Sequence, residues 1–263
     1  MERGNNVTVL DLFKLDGKTA VVTGGGSGLG AQIARGFAEA GANVVLCSRK
    51  IGVCIEMSKE LEALGVKSIG LECDVTNPEQ IKQVVKETVK QFGAIDILVN
   101  NSGASWGEKV VDMPYEAWQK VLDVNITGTF LMSQEVGKVM IEQGSGKIIN
   151  IASVAGLGGT HPEFMDTIGY NTSKGAVITF TKDLAAKWGQ YNINVNAIAP
   201  GFFPTKMSKV LIEHGRDYII NATPLNRLGS EEDLKGAALF LASQASDYVT
   251  GDILLVDGGM STL

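Results

Sequence analysis

Short apolar segments alternate with amphipathic segments along most of the chain. The apolar segments are rich in β-branched residues and nearly continuous in apolarity, which is typical of strands buried on both faces of a parallel sheet. They predict seven strands, over Lys18–Thr23, Val44–Cys47, Ser68–Leu71, Ile95–Val99, Lys147–Ile151, Asn194–Ile198 and Ile253–Val256.

The segments between the predicted strands have the periodicity of helices. Asn77 is a good N-cap in front of Pro78, a residue favoured at the first helical position, and Ser230 is a good cap for the last helix. The pattern predicts helices over Ala31–Glu39, Pro78–Phe92, Ala117–Glu142, Tyr170–Trp188 and Glu231–Ala242. Repeated strand–helix units imply an α/β fold with a parallel sheet, right-handed crossovers and helices on both faces. Because no linker divides the chain, we expect one domain over residues 1–263.

Composition and charge exclude several classes of protein. Glycine accounts for 32 of the 263 residues, which is above the usual fraction of about 7%, but proline is scarce and collagen is excluded. The net charge of −6 argues against a nucleic-acid partner. No apolar run reaches the ~18 residues of a membrane span, and the N-terminus lacks the apolar region of a signal peptide. Three cysteines without metal-ligand spacing predict no disulfide framework and no metal site. A cytoplasmic protein is therefore expected.

Glycine or polar residues follow six of the predicted strands in succession. The segments concerned are Thr23–Gly30, Ser48–Arg49, Cys73–Val75, Asn100–Gly103, Ser153 and Pro200–Gly201. Ligands of open parallel sheets bind beyond the carboxyl ends of the strands. A single site built from many strand ends explains these residues together.

The glycine-rich turn after the first strand is the first chemical signal. It joins a strand to a helix and contains Gly24-x-x-x-Gly28-x-Gly30. Glycines allow the backbone to approach a pyrophosphate closely, and the helix N-terminus offers free N–H groups to an anion. The alternative is a tight turn that binds nothing, but the position between strand and helix favours a dinucleotide site.

The end of the second strand indicates which dinucleotide is bound. NAD-binding folds usually place a carboxylate here for the ribose 2′-hydroxyl, whereas this chain has Ser48 and Arg49. Arginine binds phosphate through charge-assisted hydrogen bonds. The sequence therefore predicts NADP(H) in preference to NAD(H). The alternative is a solvated Arg49 beside a cofactor that binds without it.

Tyr170 and Lys174 form a candidate acid/base pair. Residues four apart lie on one face of a helix, so both side chains can point into one site. A nearby ammonium favours phenolate and would lower the pKa of Tyr170 from its ordinary value of about 10. This pairing alone is common in helices, where its usual role is structural.

The motifs taken together resemble those of the short-chain dehydrogenase/reductase family. They occur in order as TGGGSGLG, Asn101-Ser102-Gly103 after Asn100, Asn125 in VNITG, Ser153 after INI, Tyr170-x-x-x-Lys174 and the Pro-Gly of IAPGF, and they extend over roughly Leu15 to Gly259. The resemblance implies a Rossmann-type, doubly wound sheet of seven strands in the order 3-2-1-4-5-6-7. It also implies a small carbonyl or alcohol substrate, hydride transfer with the nicotinamide, and usually a homotetramer.

The resemblance assigns roles to particular residues. Tyr170 would be the proton donor or acceptor, Lys174 would lower its pKa and hold the nicotinamide ribose, Ser153 would bind the reacting oxygen, and Asn125 would hold a water linking Lys174 to solvent. The implied cofactor contacts are Gly24, Gly26, Ser27, Gly28, Leu29, Gly30, Ser48, Arg49, Asp74, Val75, Asn101, Ser102, Gly103, Tyr170, Lys174, Pro200, Gly201, Phe203 and Thr205.

Three further segments are assigned from the sequence. Residues 1–14 form an N-terminal extension, and residues 202–222 would form a lid over the substrate. Ser153 and Tyr170 are 17 positions apart instead of the usual 13, and the additional residues fall in the loop Gly159–Met165. Gly156, Gly158 and Gly159 lie in the substrate loop, where they suggest mobility. Candidate substrate contacts are Trp106, His161 and Phe202. The alternative for Trp106 is a packing role, and the more common role of a histidine such as His161 is that of a surface-loop residue.

The sequence leaves several activities open. SWGE near Trp106 and the segment PGFFPTKM look most like 3-oxoacyl thioester reductases, including the type from rhamnolipid pathways. Gluconate 5-dehydrogenase-like enzymes are nearly as similar, and basic residues in the predicted lid could bind a sugar acid. Other family members are epimerases or dehydratases. A regulator that only senses NADP(H) would have no need of the intact set Asn125, Ser153, Tyr170 and Lys174.

Overall fold

Seven strands form one parallel sheet in the computed structural model, which describes residues 7–161 and 164–262. The strands are β1 (Thr19–Thr23), β2 (Asn43–Ser48), β3 (Ser68–Glu72), β4 (Ile97–Asn100), β5 (Gly146–Ile151), β6 (Ile193–Pro200) and β7 (Ile253–Val256). Their order is β3-β2-β1-β4-β5-β6-β7. The predicted order is confirmed. Residues 1–6 of the expected N-terminal extension lie outside the described residues.

The order of the strands reverses at β1, which lies between β2 and β4. This strand pairs with β2 on one side, where Val21 lies opposite Val45, and with β4 on the other, where Val21 lies opposite Leu98. The connection from β1 to β2 and the connection from β3 to β4 therefore run to opposite sides of β1. They leave a crevice beyond the carboxyl ends of β1 and β4, which is where doubly wound sheets bind ligands.

Both faces of the sheet are covered by apolar side chains. Val22 and Leu46 face one layer together with Phe37, and all three are fully buried. Val21 and Val45 face the opposite layer and are equally buried. Neighbouring positions of one strand thus enter different cores, which explains why the strand sequences are continuously apolar rather than alternating.

Eight α-helices lie in the described part of the chain. They are α1 (Gly28–Glu39), α2 (Ile51–Glu62), α3 (Pro78–Phe92), α4 (Tyr115–Leu122), α5 (Gly128–Gln143), α6 (Ile168–Trp188), α7 (Lys209–Asn221) and α8 (Lys235–Ala242). The Asn77 side chain caps α3 as predicted, accepting hydrogen bonds from the N–H groups of Glu79 and Gln80. The helices α2 and α7 were not predicted. None of the described helices is long and apolar enough to cross a lipid bilayer.

Of the five predicted helices, only Pro78–Phe92 has the predicted boundaries, and two of the others differ from the prediction by more than three residues or by an interruption. The predicted helix Ala117–Glu142 is interrupted by a π-helical turn over Asp123–Thr127, between α4 and α5. The hydroxyl of Thr129 donates to the carbonyl of Asn125 there, at 2.8 Å, and π-turns of this kind often mark functional sites. The last predicted helix begins at Lys235 instead of Glu231.

Ser230 does not cap the last helix. Its hydroxyl and its backbone N–H both donate to the Asp233 carboxylate, at 2.7 Å, and Asp233 also binds Arg227. This carboxylate organises residues 230–233 into a turn, which delays the start of α8 by four residues.

Candidate active site at the carboxyl edge of the sheet

The glycine-rich turn joins β1 to α1 as the sequence predicts. Gly24 and Gly28 have φ values of +63° and +56°, a region that glycine adopts without steric cost. Ser27 precedes α1 in an extended conformation, and within the described residues no side chain caps this helix. The N–H groups of the first turn, which include Leu29, are therefore available to an anion.

Different glycines of the turn serve different purposes. A Cβ on Gly30 would lie 2.5 Å from the Gly24 carbonyl oxygen and 2.5 Å from Asn101 Nδ2, and one on Gly25 would lie 2.6 Å from Leu46. These two positions require glycine because of packing. A Cβ on Gly28 would instead be 3.6 Å from the side chain of Thr205, so two predicted cofactor residues from distant segments face each other.

We expect Gly30→Ala to destabilise the protein by about 1–3 kcal/mol, as overpacking of a tight contact does. Chemical denaturation would measure the change in the free energy of unfolding. Gly52→Ala is the matched control, because it lies in a helix where a Cβ meets nothing within 4 Å. Its stability should be unchanged or slightly higher, by up to ~1 kcal/mol. Equal effects of the two substitutions would contradict the packing role of Gly30.

Asn101 and Ser102 hold the ends of β1 and β4 together. The Asn101 side chain donates to the carbonyls of Thr23 and Gly24, at 3.0 and 3.2 Å. The hydroxyl of Thr23 accepts the backbone N–H groups of both Asn101 and Ser102, at 3.0 Å each. The predicted cofactor residues of β4 thus fix the shape of the glycine-rich turn.

A cavity of about 350 Å³ lies beside the ends of β2 and β3. Arg49, Asp74 and Thr76 line one side, and residues of α4 line the other. Burial opposes the ionisation of Asp74, but hydrogen bonds from Thr76 and the charge of Arg49 outweigh it and hold its pKa below the ordinary value. Arg49 is exposed and takes part in no ion pair within the described residues. It is therefore accessible to a phosphate.

Three other predicted cofactor residues near this cavity contact neighbouring parts of the protein. The Ser48 hydroxyl donates to the carbonyl of Lys50 and lies 3.2 Å from Cys54 Sγ. The Val75 side chain is buried against the position of Gly128. Gly26 packs against α2, since a Cβ there would lie 2.8 Å from Val53.

Tyr170, Ser153 and Lys174 meet at the ends of β5 and α6. Lys174 Nζ lies 5.6 Å from the centre of the Tyr170 ring. Burial of the Tyr170 hydroxyl raises its pKa above the ordinary value, and a hydrogen bond with Ser153 acts in the opposite direction. The expected lowering of this pKa by Lys174 is not found, and burial raises the pKa instead. The Ser153 side chain also accepts the N–H of Ala155, at 3.1 Å.

Lys174 is a buried cation. Its side chain is 5% exposed and donates to the carbonyl of Ile151, at 2.6 Å, but forms no ion pair among the residues described. Burial disfavours the charged form and lowers the pKa of Lys174 to about 8. Such an amine responds to pH, and to a bound group, in the neutral to mildly alkaline range.

Asn125 connects three segments around this lysine. Its side-chain oxygen accepts the N–H of Ala104, and its amide nitrogen donates to the carbonyl of Ala104 and to the hydroxyl of Ser173. A Cβ on Gly103 would lie 3.6 Å from the Asn125 oxygen and 3.9 Å from Lys174 Nζ. Asn125 therefore fixes the segment after β4 against α6 beside Lys174. The water that the resemblance implies remains a prediction.

The segment after β6 also borders the site. Gly201 packs against Asp257, since a Cβ would lie 2.8 Å from its Cα atom. The hydroxyl of Thr205 lies 3.1 Å from that of Ser208, which orders the start of the predicted lid. The Phe203 side chain is buried in the core against Gly229, so the predicted contact with a cofactor would be made by the Phe203 backbone.

The predicted substrate residues surround the same edge. Trp106 is 45% exposed, His161 is exposed and Phe202 is half-buried. Residues 162 and 163 of the loop before α6 lie outside the described residues. Gly156 is packed against α6, because a Cβ there would lie 2.6 Å from the backbone of Lys174, and the expected mobility of the loop stays a prediction.

Sequence reasoning missed an aromatic group at this edge. Phe164 in the loop before α6 contacts Phe202 and Tyr218, the latter on α7. The sequence contains all three aromatic residues, but Phe164 is more than 35 residues away from each of its two partners. Local periodicity does not encode contacts between such distant segments. Within the described residues, no cluster of side chains is suited to a metal ion.

Comparison with known proteins gives a consistent result. A family model described as enoyl-(acyl carrier protein) reductase matches residues 24–261. The 2-dehydro-3-deoxy-D-gluconate 5-dehydrogenase of Bacillus subtilis is 42% identical over 251 residues, 95% of this chain and 96% of that protein. The 3-oxoacyl-[acyl-carrier-protein] reductase of Thermotoga maritima is 38% identical over 248 residues, 94% of this chain and 99% of that protein.

A solved structure extends this similarity to the fold. The crystal structure of a gluconate 5-dehydrogenase from Burkholderia cenocepacia, in complex with NADP and tartrate, superposes with a TM-score of 0.92. It is 37% identical in sequence and matches 97% of this chain and 100% of that one. The relatives divide between sugar-acid dehydrogenases and 3-oxoacyl reductases, and similarity alone does not separate the two.

Proposed function

This chain belongs to the short-chain dehydrogenase/reductase family, and we propose that it is an NADP(H)-dependent oxidoreductase that interconverts a ketone and a secondary alcohol. The observation that carries the proposal is the convergence of Ser153, Tyr170 and Lys174 at the carboxyl edge of the sheet. An oxidoreductase of this family acts on CH–OH groups, whereas a protein that only senses a dinucleotide would need none of these three residues.

The residues present fit a bound NADP(H). The glycine-rich turn and the uncapped start of α1 suit a pyrophosphate, and the exposed Arg49 suits the 2′-phosphate. Lys174 would hold the nicotinamide ribose, and Thr205 would reach the carboxamide. When bound, the cofactor supplies or accepts a hydride at the substrate carbon.

Each side chain then has a separate task in the reduction of a ketone. The Ser153 hydroxyl donates a hydrogen bond that orients and polarises the carbonyl. Tyr170 gives its phenolic proton to the oxygen as it becomes an alcohol. The Lys174 ammonium stabilises the resulting phenolate, and Asn125 keeps this lysine in place through Ser173. The reverse reaction uses the same groups with the proton moving from alcohol to phenolate.

For the substrate we infer a 3-oxoacyl thioester. The support is the aromatic and apolar character of the site edge, where Trp106, Phe202 and Phe164 are available to contact an acyl chain. The 3-oxoacyl reductase of Thermotoga maritima is a relative of this chain over nearly its full length. A sugar acid is the second candidate, favoured by the gluconate 5-dehydrogenase similarity and by exposed Lys206 and Lys209 near the site.

Consumption of NADPH in the presence of different ketones tests both candidates. Acetoacetyl-coenzyme A and 5-ketogluconate would each be offered at equal concentration, with either NADPH or NADH. We expect kcat/KM with NADPH to be highest for the thioester. A higher kcat/KM for 5-ketogluconate would support the sugar-acid activity, and turnover of neither would contradict both.

The pKa of Lys174 predicts how cofactor binding depends on pH. The folded-state pKa of about 8 lies below the ordinary 10.5, so the ammonium is lost as pH rises through about 8. We expect the Kd for NADPH to increase above that pH, by at most about tenfold per pH unit for one proton. Fluorescence titration at several pH values would measure it. Lys174→Met should bind more weakly and without this pH dependence; a wild-type Kd that is constant between about pH 7 and 10 would contradict the prediction.

We also propose that the protein is a homotetramer. Phe130 and Ile141 of α5 and Ile168 of α6 expose apolar surface on the outer side of these helices. Exposed apolar stripes of this kind commonly pair with another subunit. Sedimentation velocity should give a mass near four chains, and Phe130→Glu with Ile141→Glu should yield smaller species. Sedimentation of the wild type as a monomer would contradict this assembly.

A further inference from the structure

Three aromatic rings from three separate segments meet at the edge of the site. The Phe164 ring centre lies 5.5 Å from that of Phe202, with the planes at 67°, and 4.6 Å from that of Tyr218, with the planes at 39°. Aromatic pairs at these separations attract one another beyond the burial of apolar area. We call Phe164, Phe202 and Tyr218 the aromatic clasp. It joins the loop before α6, the segment after β6 and the helix α7.

The helix α7 is shaped to accept the Phe164 ring. Gly215 has φ −122° and ψ 19° in the middle of α7, so the helix is kinked there. A Cβ on Gly215 would lie only 3.3 Å from Phe164 Cε2. The ring therefore sits against the backbone at the kink, and the half of α7 beyond the kink carries Tyr218. A larger residue at position 215 would press on the clasp.

Hydrogen bonds join the loop that carries Phe164 to α6, the helix that contains Tyr170. The N–H groups of Phe164 and Met165 donate to the carbonyl of His161, at 2.9 and 3.0 Å. The Thr160 hydroxyl donates to the carbonyl of Met165 and accepts from the Asn171 side chain, at 3.0 and 3.3 Å. Asn171 is the neighbour of Tyr170 on α6. Phe164 therefore contacts α7 from a loop that is hydrogen-bonded to α6 next to Tyr170.

The half of α7 beyond the kink has one buried side and one exposed side. Ile219 is fully buried and Ile212 nearly so, but Tyr218 is 56% exposed. A half-exposed ring on a kinked helix can separate from its partner without opening the core. The contact between Phe164 and Tyr218 is therefore suited to be made and broken during turnover, as lids require.

We propose that Phe164 is a positioning residue, which holds α7 over the substrate through the aromatic clasp and so sets the affinity for the carbonyl substrate. This inference rests on the proposed function, because it places the substrate beneath α7 beside Tyr170. The clasp also presents an apolar surface, which suits the acyl chain of a thioester better than the hydroxyl groups of a sugar acid.

Two measurements on Phe164→Ala, Tyr218→Ala and the double variant test the clasp. The first is the KM for acetoacetyl-coenzyme A and for NADPH. The second is the rate of trypsin cleavage after Lys206, Lys209 and Arg216, which are exposed in or beside α7, in protein saturated with NADPH. Phe164→Leu is the conservative variant, because it keeps apolar volume but removes the ring.

We expect Phe164→Ala to raise both the cleavage rate and the KM for the thioester by about fivefold, while the KM for NADPH changes by less than about twofold. Phe164→Leu should fall between Phe164→Ala and the wild type. Because one contact joins both residues, the double variant should show an effect no greater than the larger single one. Cleavage at the wild-type rate in Phe164→Ala, or effects that multiply in the double variant, would overturn the proposal.

The two arms separate failure of the clasp from failure of the proposed function. If no ketone is reduced, cleavage by trypsin still reports whether Phe164 holds α7. If reduction proceeds normally and cleavage is unchanged, the clasp is refuted and the proposed activity stands. Should Phe164→Ala fail to fold, the same comparisons between Phe164→Leu, Tyr218→Ala and the wild type decide the outcome.

Discussion

Replacement of Tyr170 by Phe should lower kcat for ketone reduction by about 10²–10⁴-fold, because it removes the group that donates the proton. The Tyr170 side chain is half-buried, Lys174 Nζ lies 5.6 Å from the centre of its ring, and Ser153 acts on the pKa of its hydroxyl. The affinity for NADPH should change little, since the ring and Lys174 remain. Steady-state kinetics and a fluorescence titration would measure the two quantities.

A matched control for this prediction is Tyr191→Phe. Tyr191 lies in the turn between α6 and β6, is partly exposed and is remote in sequence from the proton-transfer residues. Its loss of a hydroxyl should leave kcat unchanged. A Tyr170→Phe variant that keeps more than about a tenth of the wild-type kcat would show that another group donates the proton.

Replacement of Arg49 by Ala should weaken NADPH binding by about 10–100-fold, the value of one or two charge-assisted hydrogen bonds to a phosphate. NADH has no 2′-phosphate, so its affinity should hardly change. The ratio of kcat/KM values for NADPH and NADH would therefore fall toward one. An unchanged Kd for NADPH would contradict the assignment of the phosphate to Arg49.

Arg35→Ala provides the control for general loss of positive charge. Arg35 lies on α1 and pairs with Glu60 at 2.7 Å, with both side chains well exposed. Exposed pairs of this kind contribute little to stability. Binding of both cofactors should therefore be the same as in the wild type, and a loss equal to that of Arg49→Ala would indicate a non-specific charge effect.

The sheet was predictable because each strand is buried on both faces. Val21 and Val22 enter opposite cores, which makes the strand sequence continuously apolar and short. The glycine-rich turn was predictable because its conformation and its close approach to Asn101 admit no side chain at Gly24 or Gly30. In both cases the constraint acts on neighbouring residues, where sequence patterns are informative.

The features that were not predicted depend on contacts between distant segments. The π-helical turn interrupts a helix whose apolar pattern is continuous, and Asn125 in this turn binds Ala104 and Ser173 from other segments. The pKa of Tyr170 is raised by burial, which the i,i+4 spacing from Lys174 does not reveal. The kink of α7 is seated against Phe164, a residue on another loop. Tertiary structure decides all three.

Transfer of deuterium to the product alcohol from NADPH that carries deuterium at both positions of nicotinamide C4 tests the central claim most directly. The wild-type protein would be incubated with acetoacetyl-coenzyme A, and the product would be analysed by mass spectrometry. We predict one deuterium at the carbinol carbon in the wild type, and a strongly reduced yield of the same labelled product with Tyr170→Phe. Absence of label in the alcohol would contradict the account. So would the absence of an NADPH-dependent product with both acetoacetyl-coenzyme A and 5-ketogluconate.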